Sequence, residues 1–310
     1  MLLTDVCRNY CMSKRILRYI KSPRLVVEYL FRRLFSKRMS DINYIKCLYY
    51  IRSGKKLNLD NPRTFNEKLS WLKIYNRKPE YSLMADKYSV KEYVAERIGK
   101  EYVVENYIVA DKWDDIDFTK LPEKFVVKCS HDSGGVIVCR NKNTFDYDAA
   151  RKRIESHLKV NYFYAEREWV YKNIKPRIII DRLLDDHTGK ELRDYKFWCF
   201  GGKPTYAYFT IKGDNIYENF YDMDFNVVNI NHGFPRHKPE FEKPANFEIM
   251  KSLASRLSNG IPFVRVDFFD VDGHVYFGEF TFYDWGGMVP FPDNETDLNL
   301  GELIELPKLS

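Results

Sequence analysis

Nothing in this 310-residue chain approaches the roughly 20 consecutive apolar residues of a membrane span. Its start, Met1-Leu-Leu-Thr-Asp-Val-Cys7, lacks the basic opening and the apolar core of a secretory signal. Cysteine is scarce. Cys7, Cys11, Cys47, Cys129, Cys139 and Cys199 form no Cys-x-x-Cys pair, which leaves no zinc-site spacing. Isolated thiols suit a reducing compartment, so a cytoplasmic location is expected. No Gly-Lys-Ser/Thr closes a glycine loop, which excludes a Walker-type phosphate loop. Internal repeats, low-complexity segments and a recognisable Ser or Cys nucleophile arrangement are also missing.

What is present is ordinary in bulk: 45% hydrophobic and 30% charged residues, with aromatics high at 16%. The length suffices for two domains or one large one. Charge is unevenly placed. The chain carries a formal +6, but residues 1–40 hold ten basic residues against Asp5 and Glu28, a net +8. The remainder is slightly acidic, so the main body does not look like a nucleic-acid binder. Two short basic helical patterns occupy residues 1–40, broken at Ser22-Pro23. In Arg24–Phe35, Leu25, Val26, Tyr29, Leu30 and Leu34 recur at helical spacing, away from Arg24, Glu28 and Arg32. Such a helix either lies on an anionic membrane surface or docks on its own domain with its charged face in water.

Helices are expected over Asp41–Gly54, Asn66–Tyr75 (started by the Thr64-Phe-Asn-Glu67 capping box), Asp86–Ile98, Tyr147–Leu158 and Asn246–Asn259. Strands are expected over Tyr102–Val109, Lys124–Cys129, Val136–Arg140, Ile174–Leu184, Leu192–Phe200 and Lys203–Ile211. Strand pairs interleaved with helices imply an α+β (mixed α/β) fold.

The most informative stretch is Phe263–Thr281. It reads as a hairpin whose loop, Val271-Asp272-Gly273, has three residues. That loop sets Arg265 opposite Glu279 and Asp267 opposite Phe277, so Arg265, Asp267, Glu279 and Thr281 share one face. A two-residue loop would divide the two carboxylates between faces. Two acids and an arginine on an apolar ribbon are costly to desolvate unless paired or bound to a cation. The face reads as a metal and phosphate site.

Phe125-Val-Val-Lys-Cys-Ser-His-Asp-Ser-Gly-Gly-Val-Ile-Val is the second signal. Ser133, Gly134 and Gly135 can bring backbone N–H groups close to an anion, and Lys128 lies on the same strand face as Val126. A phosphate-covering loop and a plain hairpin turn both fit. In Arg177–Leu184 the adjacent charges Asp181 and Arg182 must face opposite sides, so at least one lines a polar cavity or a sheet edge. A nucleobase site and a strand leaving the core both remain open there.

The order Asp86-Lys87, Val127-Lys128 with Ser-Gly-Gly, Ile180-Asp-Arg-Leu-Leu, Arg265-Val-Asp267 and Glu279-Phe-Thr281 resembles the ATP-grasp superfamily of carboxylate–amine ligases. More closely, Thr64-Phe-Asn-Glu-Lys-Leu, Ala85-Asp-Lys-Tyr, His131-Asp-Ser-Gly-Gly and Asp194-Tyr-Lys-Phe-Trp resemble its TupA-like family, associated with teichuronopeptide, capsule and related cell-surface polysaccharide synthesis. The resemblance covers about residues 60–290 and rests on the order and spacing of individually weak motifs. It implies an ATP-grasp fold with two antiparallel-sheet subdomains clasping ATP. The expected division is a basic helical region at 1–60, an N-terminal and lid part at 61–185, and a C-terminal subdomain with the metal site at 186–310. It further implies that Lys87 and Lys128 bind ATP phosphates and that Ser133–Gly135 close over them. Asp181, Arg182 and Leu184 would form the hinge that reads adenine, Asp181 standing where relatives often have glutamate. Asp267 and Glu279 would hold Mg2+, with Thr281 in the place where the ligases commonly carry asparagine. Arg265 would stabilise the acyl phosphate, and Lys196 would reach a phosphate. The implied substrates are a small-molecule or glycan carboxylate and an amine. Residues 1–40 would add peripheral contact with the inner face of a membrane.

A glycosyltransferase is the rival reading. Asp222-Met-Asp224 and Asp270-Val-Asp272 both fit the Asp-x-Asp pattern that holds a metal and a nucleotide-sugar, although both also read as turns. His131 is a further candidate base, Glu168, Trp169 and Tyr171 candidate lining residues, and Trp285-Gly286-Gly287 a candidate acceptor pocket.

Overall fold

The computed structural model of the chain describes residues 23–186, 192–212 and 216–308. The helical pattern expected before Ser22-Pro23 lies outside the described residues. The described residues open with five helices: α1 (Pro23–Phe35), α2 (Asp41–Ser53), α3 (Phe65–Tyr75), α4 (Pro79–Ala85) and α5 (Val90–Ile98). Their ends have local causes. Ser40 caps α2, whose end turns left-handed at Gly54. Thr64 and Glu67 close the expected capping box on α3. Proline opens α4, where its missing N–H costs nothing. Then follow β1 (Asn106–Ala110), β2 (Phe125–Cys129), β3 (Val136–Cys139), α6 (Tyr147–Leu158), the single turn α7 (Phe163–Glu166) and β4 (Ile178–Arg182). The last part comprises β5 (Asp194–Phe200), β6 (Lys203–Lys212), β7 (Ile216–Tyr221), β8 (Val227–Val228), α8 (Phe247–Ser258), β9 (Phe263–Val271), β10 (His274–Thr281) and α9 (Asn294–Glu302).

The strands form two sheets. One has the order β1-β4-β2-β3 and the other β10-β9-β5-β6-β7-β8. Every pairing is antiparallel. This is the expected mixed α+β architecture. The six-stranded sheet shares one large core with α2–α5 and α8, in which Phe65 stacks on Trp198. The four-stranded sheet has its own smaller core, where Phe125, Val127, Ile178 and Ile180 meet Ala150 and Ile154 of α6. A third, small cluster of Val104, Leu184 and Val271 lies where the chain leaves β4 and passes the tip of the β9–β10 hairpin. Among the described residues no helix is long and apolar enough to cross a membrane.

Several expectations are corrected. Helix α5 begins at Val90 rather than Asp86, and the expected strands 102–109 and 174–184 shorten to 106–110 and 178–182. Helices α4 and α9 and strands β7 and β8 carry no strong periodic signal in the sequence.

The hairpin differs in an instructive way. Val271 pairs with His274, so the loop has two residues, Asp272 and Gly273, both with positive φ. This is the primed-turn geometry that suits hairpin twist. Val275 then pairs with Asp270 and Phe277 with Phe268, one step off the expected register. Between Phe277 and Phe280 the register shifts again, after which Phe280 pairs with Val266 and Thr281 with Arg265. Gly278 and Glu279 thus stand together opposite Asp267, a β-bulge. The bulge adds a second one-residue step in the same direction, so Arg265 lies opposite Thr281 rather than the expected Glu279, but the two steps together return Glu279 and Thr281 to the face of Arg265 and Asp267. Burial records the same step: Val275 and Phe277 point inward, then Phe280.

Gly278 is closely packed: a Cβ there would meet the Asp267 carbonyl oxygen at 3.1 Å and the Phe269 ring at 3.2 Å, so a larger residue must displace its neighbours by a few tenths of an ångström. Gly278→Val is expected to cost about 1–3 kcal/mol in denaturant unfolding. Unchanged stability would show that the bulge does not need glycine.

Candidate active site

Strand β9 carries the densest polar cluster. Arg265 and Asp267 stand two residues apart and so share a face. The Arg265 guanidinium grips Asp267 through two bonds, Nε to Oδ1 and Nη2 to Oδ2, both 2.7 Å. Its Nη2 also donates to Glu279 Oε1 at 3.2 Å across the bulge. On the other side Nη1 donates to Asp284 Oδ1 at 2.6 Å and to the Tyr208 hydroxyl at 3.2 Å. Burial opposes the charge on Arg265, but Asp267, Tyr208 and Asp284 hold its pKa well above the ordinary value. Burial pushes Asp267 up to about 6 against the pull of Arg265. Burial acts the same way on Asp284, but Arg265 and His232 outweigh it and hold that carboxyl down to about 2. Trp198 Nε1 fixes Asp284 further with a 3.1 Å bond. Lys196 on β5 pairs directly with Asp267 and, on its other side, with Tyr208. Its ammonium donates to Asp194 at 3.0 Å.

The four-stranded sheet presents a second polar cluster. Asp181 is opposite Val126, diagonal to Lys128, and opposite Asn106. Its buried carboxylate accepts from Lys128 Nζ at 3.2 Å, from Asn106 Nδ2 at 2.9 Å and from Lys91 Nζ on α5. Burial raises the Asp181 pKa, yet Lys128, Lys91 and Asn106 bring it below the ordinary range. Burial lowers Lys91, against Asp181. Lys87 reaches the Asp132 carbonyl, beside the glycine loop. That loop is held from behind: His157 contacts the Asp132 carboxylate, and Arg153 donates to the Gly134 carbonyl at 3.1 Å. Ser133 and Gly134 are exposed, and Gly134 has φ +124. A Cβ at Gly135 would meet the Asp132 carboxylate at 2.9 Å, so the tight return of the chain needs glycine there.

Tyr162 precedes α7, and its ring meets Tyr171 edge-on at 5.2 Å. Burial, with Glu168 and Glu279 adding, raises Tyr171 well above its ordinary pKa. Glu168 is itself buried. Burial and then Glu166 push it up to about 8, against Lys73. The two sheets are linked through Arg182, which donates to Tyr276 on the hairpin at 2.6 Å.

The structure therefore brings together Arg265, Asp267, Glu279, Thr281 and Lys196 on one sheet. On the other it pairs Lys128 with Asp181, while Lys87, in the turn before α5, contacts the Asp132 carbonyl beside the Ser133–Gly135 loop. Arg182 and Leu184 lie where the two sheets meet. Sequence reasoning missed Lys91, Asn106, Tyr208 and Asp284. Lys91 had a usable signal, since it follows Lys87 by one helical turn. His131 is buried and bonds the Val160 carbonyl through Nε2 at 3.1 Å. Asp284–Gly287 is a tight turn with three residues at positive φ, and its contribution to the cluster is Asp284 rather than the Trp-Gly-Gly. Both Asp-x-Asp segments serve local structure. Asp222 accepts from the backbone N–H groups of Asp224 and Asn226 at 3.0 and 2.8 Å. Asp270 accepts from Asn246 at 3.1 Å.

Among the described residues no group of three or more acids, histidines or cysteines forms a metal cluster. Asp267 and Glu279 nevertheless converge on one guanidinium nitrogen of Arg265, so two hard oxygen donors already face one point of positive charge. Magnesium is usually held by one or two carboxylates, with phosphate and water supplying the other oxygens. The donor set fits that ion. Two lysines, Lys91 and Lys128, against the single carboxylate of Asp181 leave net positive charge there.

Glu166 braces this region from below. It pairs with Arg52 at 2.7 Å and Arg32 at 2.8 Å, and its backbone carbonyl accepts from Lys73 at 3.2 Å. Burial raises its pKa, but Arg52 and its other cations bring it down to about 2. A depressed carboxylate stabilises the fold above its unfolded pKa, and that stability is lost as the pH falls through the folded value. Glu166→Gln is expected to cost about 1–3 kcal/mol at pH 7, because Arg32 and Arg52 lose one of their two carboxylates and keep Glu28. In denaturant unfolding the gap to the unsubstituted protein should narrow from pH 5 to pH 3. A gap independent of pH would refute the ion-pair role.

The family model described as TupA-like ATPgrasp matches residues 67–305. No curated protein matches the sequence. Among solved structures, the D-alanine–D-alanine ligase of Helicobacter pylori is similar at 17% identity and TM-score 0.40, over 77% of this chain and 69% of that one. The D-alanine–D-alanine ligase of Bacillus anthracis, complexed with ATP, is similar at 16% identity and TM-score 0.39, over 76% and 62%. A RimK-domain ATP-grasp protein of Sphaerobacter thermophilus is similar at 10% identity and TM-score 0.41, over 74% and 70%.

Proposed function

The chain belongs to the TupA-like ATP-grasp family of ligases, and on that premise we propose that it joins a carboxylate to an amine in an ATP- and Mg2+-dependent reaction. The acceptor in this reading is a cell-surface polysaccharide or its precursor, and the activated species is an acyl phosphate. The observation that carries the reading is the convergence of Asp267 and Glu279 on Arg265 in one sheet, with Lys128 and Lys91 on Asp181 in the other.

Each residue has a role that its surroundings support. Lys87, Lys91 and Lys128 neutralise the ATP phosphates, and the Ser133–Gly135 loop covers them. Asp181, whose carboxylate is engaged by two lysines, orients those lysines, and the Arg182–Leu184 stretch borders the adenine. Asp267 and Glu279, with Thr281 beside them, would hold Mg2+, which would supply positive charge against the phosphates. The substrate carboxylate oxygen attacks the γ-phosphorus and ADP leaves. The amine nitrogen then attacks the acyl carbon, the phosphate departs with the C–O bonding pair, and the amine loses a proton as the amide forms. Arg265 and Lys196 face the negative charge that develops on the acyl phosphate and the tetrahedral adduct. No protein nucleophile is needed, since positioning and charge neutralisation do the work. The loop keeps water from the acyl phosphate, whose hydrolysis would waste ATP. The division at residues 1–60, 61–185 and 186–310 goes with this reading.

Purified protein with ATP, Mg2+ and pools of amino acids and uronic-acid sugars should release ADP and phosphate only when both an acid and an amine are present. Glu279→Gln, at a half-exposed position, should keep its fold and lose turnover by about 10²–10³-fold. Arg265→Lys should lose a similar factor, because an ammonium cannot reproduce the two-pronged grip on Asp267. Thermal stabilisation by a UDP-sugar but not by ATP would overturn the ligase reading in favour of a glycosyltransferase.

A further inference from the structure

Helix α1 turns its charges inward and its apolar side chains outward. Glu28 accepts from Arg32 and Arg52, both at 2.9 Å, and those arginines reach Glu166 behind it. Phe31 stacks on Tyr44 at 5.1 Å. These contacts define the inner side, where Glu28, Phe31 and Arg32 fall together at helical spacing. Val26, Val27, Leu30 and Leu34 occupy the opposite side and are 37%, 52%, 49% and 51% exposed. Single exposed apolar residues are ordinary, but four on one helix face mark a contact surface. Of the two orientations that the sequence left open, docking with the charged face in water does not hold, since Glu28 and Arg32 face the domain.

The charge around this face has one sign. Residues 23–40 contain Arg24, Arg32, Arg33, Lys37 and Arg38 against the single acid Glu28, which is spent on internal pairs. Arg33, Lys37 and Arg38 are exposed. A second copy of the chain would bring the same cations to the contact. An anionic bilayer offers both an apolar boundary and negative headgroups.

We propose that the outer face of α1 docks the protein on an anionic lipid surface. Val26, Leu30 and Leu34 enter the boundary between headgroups and acyl chains, and Arg33, Lys37 and Arg38 meet lipid phosphates. The Glu28–Arg32–Arg52–Glu166 network then fixes the docked helix relative to the loop bearing Asp284, because Glu166 packs against Gly286. The proposal holds whether or not the ligase reading does.

The test is co-sedimentation of the full chain with vesicles of phosphatidylcholine alone and with about a third phosphatidylglycerol. Binding is expected to the anionic vesicles only and to weaken severalfold at high salt. The double variant Leu30→Ser/Leu34→Ser should bind about tenfold more weakly with unchanged circular dichroism. Arg33→Glu/Lys37→Glu/Arg38→Glu should also lose binding, as a second and chemically distinct change. Equal binding to neutral vesicles, no binding, or undiminished binding by both variants would overturn the proposal. So would a concentration-dependent dimer that Leu30→Ser/Leu34→Ser dissociates, since the face would then belong to a second copy.

Discussion

A buried guanidinium cannot stand alone in this sheet. Arg265 is held by Asp267, Glu279 and Asp284, and much of the surrounding structure exists to keep those carboxylates in place. The Gly278 bulge puts Glu279 on the correct face, and the Asp284–Gly287 turn delivers a third acid. Tyr208 and Trp198 fill the remaining hydrogen-bond positions. Removing a buried charge from water costs several kcal/mol per ion, so the cluster is stable only if nearly complete. That constraint explains why residues from β5, β6, β9, β10 and the following turn meet at one point.

The same logic governs the four-stranded sheet with the signs exchanged. There one buried carboxylate, Asp181, holds two lysines. In both places the protein supplies its own counter-charge where a ligand would bring one. Arg265 lies against the acids that suit a cation, and Asp181 lies against the lysines that suit a polyphosphate. Under the proposed function, ligand entry would be an exchange of partners at both sites.

Much of this was legible in the sequence, and the exceptions have physical causes. The grouping of Arg265, Asp267, Glu279 and Thr281 was read correctly, but for an incomplete reason. A three-residue loop without a bulge and a two-residue loop with one place Glu279 on the same face, and alternation alone does not distinguish them. Asp181 and Arg182 do point to opposite sides, as adjacent strand residues must, one buried and one exposed. Asp284 was missed because a turn residue has no periodicity to reveal its direction. Lys91 was missed because its partner, Asp181, is 90 residues away. Helix α1 had the correct extent, and its orientation was left open. Its apolar stripe was visible, but the ion network that draws the opposite face inward depends on Arg52 and Glu166, which no local pattern connects to it.

The most direct measurement is an anomalous-diffraction experiment on crystals grown with Mn2+ and a non-hydrolysable ATP analogue. The expected result is an anomalous peak within about 2.2 Å of carboxylate oxygens of Asp267 and Glu279. The triphosphate should lie between that ion and Lys87, Lys91 and Lys128, with Arg265 released from Glu279. A peak at Asp222 and Asp224, or a nucleotide bound with Asp267 and Glu279 still clasping Arg265 and no ion beside them, would contradict the assignment.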